Sequence, residues 1–159
     1  MKITKENRFD EAIKALVKGF FKGTLAKGNC MACAVGNIVN HSIGQKIETS
    51  LLNTIDAAGT FWYDALVPDI SSDEEISNGE KEIQTTGYSV DEIRRIERTF
   101  EYHTEIDYDD YPTNYKKDPA IIKDQYNGLM AVVEVLCELE GHNEEKLKET
   151  KNLFNHELI

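Results

Sequence analysis

The stretch DPAIIKDQYNGLMAVVEVLCELEG, residues 118–141, decides the fold. Asp118 offers a side-chain oxygen suited to a helix N-cap. Pro119 suits the first helical position, where a missing N–H costs nothing. Ile122, Tyr126, Leu129, Val133 and Leu136 then recur at three- and four-residue steps, which gathers them on one helical face. Gly141 ends the run. It is the most apolar long segment of the chain.

The neighbouring segments read the same way. Downstream, Asn143 caps a last helix carrying Leu147, Phe154 and Leu158. Upstream lies an acidic, tyrosine-rich loop, EIDYDDYPTNYKK. Before it, Ser89-Val90-Asp91-Glu92 forms a capping box for a helix whose buried face is Val90, Ile93, Ile96 and Phe100. Near the start, Phe9, Ala12, Ile13, Leu16, Val17 and Phe20 share one face of a helix over about residues 5–22, with Gly23 as its stop. Lys14, Lys18 and Lys22 line the opposite face. Asn29 is suited to cap a helix running to about His41. Leu51, Ile55, Ala58, Trp62 and Ala65 predict another over roughly 47–66, closed by Val67-Pro68.

Residues 67–88 read as a mobile acidic connection. Asn78-Gly79 is a turn signal within it, and Ile76 and Ile83 are candidates for a short strand pair. There is no internal repeat and no domain boundary. The expected fold is all-α: a single-domain helical bundle of five or six helices with a long acidic loop.

Composition removes whole classes. The chain has 159 residues, 40% hydrophobic and 30% charged, which excludes collagen-like and wholly disordered proteins. No apolar run approaches the ~18–20 residues of a membrane span. The charged opening MKITKENRFDEAIK lacks the apolar stretch of a signal peptide, so a cytoplasmic protein is expected. Three Cys, an odd number, fit a reducing compartment. The net charge of −11 argues against broad nucleic-acid or membrane binding. That charge is uneven. Residues 1–28 hold seven Lys or Arg against three acids, whereas 67–86 and 101–111 each carry a net of −5.

The most specific local feature is Gly28-Asn29-Cys30-Met31-Ala32-Cys33-Ala34-Val35-Gly36-Asn37-Ile38. At about 100° per residue, a helix here places Cys30, Cys33, Asn37 and His41 in one stripe and Met31, Val35, Ile38 and Val39 on the core side. Four readings stay open. The thiols are packed small hydrophobes; or Cys30 and Cys33 give half of a zinc site, completed by two of His103, Cys137, His142 and His156. Alternatively, Cys30 is a helix-terminal thiolate resolved by Cys33; or Cys33, Asn37 and His41 line a ligand pocket.

Asp107, Asp109 and Asp118 only faintly resemble a calcium loop, because Tyr111 and Pro112 occupy its fifth and sixth positions. Tyr102, Tyr108, Tyr111 and Tyr115 offer either an interaction surface or anchors that pin the loop to the core. No phosphate loop, dinucleotide fingerprint, H-E-x-x-H or G-x-S-x-G is present, and the carboxylates are not patterned as an acid–base pair. No enzyme is expected.

Cys30-x-x-Cys33-Ala34-Val35-Gly36-Asn37-Ile38, Gly87-Tyr88-Ser89 with Glu92, Ile96, Glu97 and Phe100, and Asn127-Gly128-Leu129 with Ala131, Val132, Val135 and Leu136 together resemble small helical proteins of Bacteroidetes and their phages. The resemblance covers about residues 9–140. Some of those proteins bear the name of the flavin-carrying component of the Na⁺-translocating NADH-quinone reductase. This chain has no room for the anchor, ferredoxin, flavin and nicotinamide modules which that name implies, and two Cys do not hold a four-Cys cluster. What the resemblance implies is a cytosolic accessory protein of a bacterium or phage.

The leading expectation is therefore a non-enzymatic binding protein, a homo-oligomer, that captures a small ligand or a host protein. A nucleotide signal sequestered in phage counter-defence is one form, with Lys14, Lys18 and Lys22 neutralising phosphate; Cys33, Asn37 and His41 are the other candidate ligand-binding residues. The alternatives are a thiol site at Cys30 and Cys33, metal-binding or redox, and an acidic interaction inhibitor or DNA mimic using residues 69–82 and 105–111.

Overall fold

The computed structural model describes residues 2–28, 33–44 and 83–155. The helix expected over 47–66, the acidic connection up to residue 82, Cys30 and His156 lie outside the described residues. Within them the chain forms five α-helices and no strand: α1 (Arg8–Lys22), α2 (Ala34–Ile43), α3 (Val90–Tyr102), α4 (Pro119–Glu140) and α5 (Glu144–Asn152). Two single 3₁₀ turns, Tyr108–Asp110 and Tyr115–Lys117, interrupt the loop between α3 and α4.

Local chemistry sets the helix ends. Ser89 Oγ accepts the Glu92 N–H at 3.1 Å while Glu92 accepts the Ser89 N–H at 2.8 Å, so both halves of the capping box are made. Asp118 caps α4 through the Ala120 N–H at 2.9 Å, and Pro119 follows it. Asn143 caps α5 through the Lys146 N–H. Gly23 and Gly141 close α1 and α4. α2 differs from expectation. It starts at Ala34, and its N-cap is Cys33, whose sulfur accepts the Gly36 N–H at 3.3 Å.

α4 is the central rod. It packs on α1, α3 and α5, while α2 bridges α1 and α3. Its buried face is Ile121, Gln125, Gly128, Leu129, Val132 and Leu136; Ile122 and Tyr126 are only partly covered, so the face is turned slightly from the one its apolar spacing indicates. Gly128 allows the closest approach. A Cβ there would lie 2.5 Å from Thr104 Cγ2 and 3.0 Å from the Phe100 ring. Leu16, Ile93, Ile96, Phe100 and Phe154 are fully enclosed in the shared core. Ile83, expected as a strand residue, lies in a helical turn and is also fully buried. Thr86 and Tyr88 are buried with it, so the end of the expected mobile connection is packed against the helices.

One charged network joins the helices from inside. Arg8 is 4% exposed, although it belongs to the basic opening of the chain. It donates to Glu140 at 2.5 Å, to Glu92 at 3.0 Å and to the Gly87 carbonyl at 3.3 Å, with its guanidinium 4.4 Å above the Tyr88 ring. A buried charge demands this many partners.

No helix among the described residues is long and apolar enough to cross a membrane.

Candidate functional site

The residues singled out in the sequence fall in three different environments. Cys33 is 1% exposed and belongs to the apolar core. Because it precedes α2 instead of lying within it, the helical angles that would turn it toward solvent do not apply, and its sulfur points inward as a cap. Asn37 and His41 do share a face, one turn apart, but that face is turned to α1. Asn37 accepts from Thr24 Oγ1 at 2.9 Å and donates to the Thr24 and Cys33 carbonyls at 3.3 and 3.0 Å. The His41 Nε2–H meets Glu11 Oε2 at 2.7 Å. His41 thus ties α2 to α1, and Asn37 ties it to the turn just past α1.

Lys14, Lys18 and Lys22 lie on the outer face of α1, and Lys14 pairs with Glu11 at 3.1 Å. Cys137 is buried on α4. Among the described residues no three His, Cys, Asp or Glu side chains come together as a metal set. Asp107 accepts the Asp109 N–H, and Asp118 caps α4.

The structure instead opens a cleft of about 640 Å³ elsewhere, lined by none of Cys33, Asn37, His41, Lys14, Lys18 and Lys22. Its floor and one wall come from the C-terminal half of α3: Glu97, Arg98, Glu101, Tyr102 and, just past the helix end, His103. Lys27 and Gly28, just beyond α1, and Asp107, in the loop after α3, supply the other side.

The walls are tied together by polar bonds that converge on the Leu25–Gly28 strip. The Gly28 N–H donates to both oxygens of Glu101, at 3.2 and 3.1 Å. The Lys27 ammonium donates to the Thr104 carbonyl. The Lys27 N–H donates to Tyr111 Oη at 3.3 Å, and its carbonyl accepts the Tyr108 N–H at 2.9 Å. Gln125 reaches from α4 to the Leu25 carbonyl at 2.5 Å. Gly28 has φ +77°, and a Cβ there would lie 3.0 Å from Asp107 Oδ2, so the position demands glycine twice over. Below the loop, buried Asp124 accepts the Glu105 and Ile106 N–H groups at 2.8 and 3.0 Å. The cleft is thus built on fixed backbone.

Its electrostatics are mixed but lean acidic. Three carboxylates, Glu97, Glu101 and Asp107, stand against Lys27 and Arg98. Burial pushes the Glu101 carboxyl above its ordinary range and neighbouring Asp107 adds to the effect, while the Gly28 N–H and Lys27 oppose it. At the rim Tyr102 is 84% exposed, and its ring meets the His103 ring edge-on at 5.3 Å. His103 Nδ1 lies 2.9 Å from the Thr99 carbonyl. A carbonyl only accepts, so Nδ1 carries the hydrogen and Nε2 of the neutral ring keeps its lone pair.

The tyrosines of the loop divide their roles. Tyr108, Tyr111 and Tyr115 pack as a triangle of rings, and Tyr111 anchors that triangle through Lys27 and Gln125; Tyr102 stands apart at the cleft. Sequence reasoning does not assemble this site, because Lys27–Gly28 and Glu101 meet only after folding. One signal is present: α3 carries Glu97 and Glu101 one turn apart and has no basic residue in its last turn. Comparison with protein-family models, with curated proteins and with solved structures finds no match to this chain in any of the three, so its own geometry carries the functional reading.

Proposed function

We propose that the protein is a non-enzymatic, cytosolic binding protein that captures a small molecule in the cleft between Lys27–Gly28 and the C-terminal half of α3. The observation that carries this reading is the cleft itself: about 640 Å³, with Glu101 in its wall held by the Gly28 N–H. Small-molecule sites usually fall between roughly 300 and 1,000 Å³ and pair an apolar lining with a few placed polar groups. Glu101, fixed by Gly28, is such a group, and the exposed Tyr102 ring offers a flat apolar face beside it.

Thermal unfolding of the whole protein with a panel of nucleotides, amines and neutral aromatics tests the proposal. A ligand at a hundred times its Kd adds about 2.7 kcal/mol of stability. At least one class is expected to raise the Tm, with the rise lost in Tyr102→Ala. If no class raises it, or the rise survives both Tyr102→Ala and Glu101→Gln, the cleft is not the binding site.

A further inference from the structure

We propose that the cleft selects an organic cation, a protonated amine carried on a small aromatic or apolar body; this rests on the reading of the cleft as a ligand site. Four observations converge on that class. Glu101 and Asp107 both line the cleft beside Gly28, so a small group held in the cleft has two carboxylates in its walls. Glu101 is itself half-buried, and the cation that bears on it, Lys27, has its ammonium on the Thr104 carbonyl. The cleft also lies at the C-terminal end of α3, the negative pole of the helix, whose last turn holds no basic residue. Finally, Tyr102 and His103 present rings at the rim, where an ammonium and an aromatic body are both well received.

The opposing charge is counted too. Lys27 stands in the same wall, and Glu101 with Asp107 carry one negative charge in excess of it. A phosphate or other dianion would add to that excess, and an amine cancels it. A chain of net charge −11 steers cations inward in addition.

The experiment is an amide NMR titration of the isotope-labelled full chain with phenethylamine, its neutral counterpart 2-phenylethanol, and adenosine monophosphate. The Gly28 amide is a direct reporter, because its hydrogen is bonded to Glu101. Phenethylamine is expected to move the Gly28, Tyr102 and His103 amides and to bind about tenfold more tightly than 2-phenylethanol, the usual order for a charge-assisted contact. Glu101→Gln keeps an acceptor for Gly28 and should erase that preference; Asp107→Asn should reduce it. Equal binding of amine and alcohol, or a preference unchanged in Glu101→Gln, overturns the inference. Adenosine monophosphate moving these amides while phenethylamine does not would overturn the amine class and keep the cleft as a site. If none of the three probes moves them, this inference fails; the broader reading is decided separately by the thermal panel.

Discussion

Arg8 Nε and Glu140 Oε1 stand 2.5 Å apart, although 132 positions separate them in the chain. One guanidinium therefore joins the start of α1 to the end of α4, and through Glu92 it also holds the capping box of α3. Arg8→Met is expected to destabilise the protein by about 2–4 kcal/mol in urea unfolding. That is below the ~3–5 kcal/mol typical of breaking a fully buried pair, because Glu92 and Glu140 are 25% and 15% exposed and can recover some water. Arg8→Lys should restore little, since an ammonium cannot reproduce the fork. A loss under about 1 kcal/mol in Arg8→Met would show that the network is dispensable.

Gly128→Ala sets two effects against each other. Alanine is a better helix former by about 1 kcal/mol. The new methyl would press on Thr104 and Phe100 at 2.5 and 3.0 Å, and overpacking of a tight contact costs about 1–3 kcal/mol. Packing should win, with a net loss of about 1–2 kcal/mol in chemical denaturation. A stabilised variant would mean that α3 and α4 part without cost.

The Glu11–His41 pair shapes the acid limb of stability. The hydrogen bond from His41 holds the Glu11 carboxyl below its ordinary value of 4.5; burial pulls the other way and Lys14 assists His41. A lowered folded-state value gives stability that is present above pH 4.5 and is lost as pH falls through the lower value. Glu11→Gln should weaken the protein at neutral pH and flatten the acid limb of a urea-midpoint series. An identical limb in the variant would remove the pair from this role.

Glu101 behaves with the opposite sign. Its raised carboxyl is easier to protonate in the folded state than in the unfolded chain. Its contribution is therefore full below about pH 4.5 and disappears as pH climbs through the raised value. At neutral pH the charge is held against the preference of the fold, so Glu101→Gln should raise the urea midpoint there while weakening amine binding. A variant less stable at neutral pH would contradict this account.

Cys33 and Cys137 are buried, and burial pushes the Cys137 thiol up from its ordinary range. In a Cys30→Ser protein, both should resist an aromatic disulfide reagent until denaturant is added. Rapid labelling of Cys33 in the folded state would favour the redox reading instead.

Much of the fold is legible in the sequence because its signals are local. Ser89 with Glu92, Asp118 with Pro119, and Gly141 with Asn143 mark helix ends through contacts a few residues long. Cys33 is misplaced by sequence reading for a local reason as well: a helix counted from Asn29 turns it outward, while the helix begins at Ala34. Arg8 is hidden differently. It lies one and two turns ahead of Ala12 and Ala15, in register with the buried stripe, yet a charge in a basic segment reads as solvated. The cleft is beyond sequence reading, because Gly28 and Glu101 find each other across 73 positions.

The reach of Arg8 has a further consequence, in time rather than in energy. Its partners lie 79, 84 and 132 positions away. Helical proteins built from neighbouring contacts reach their native state within microseconds to milliseconds, but bonds of this span must wait for large loops to close. The guanidinium is therefore expected to lock only once the rods have docked. Its removal should quicken escape from the native state and leave the speed of arrival nearly unchanged.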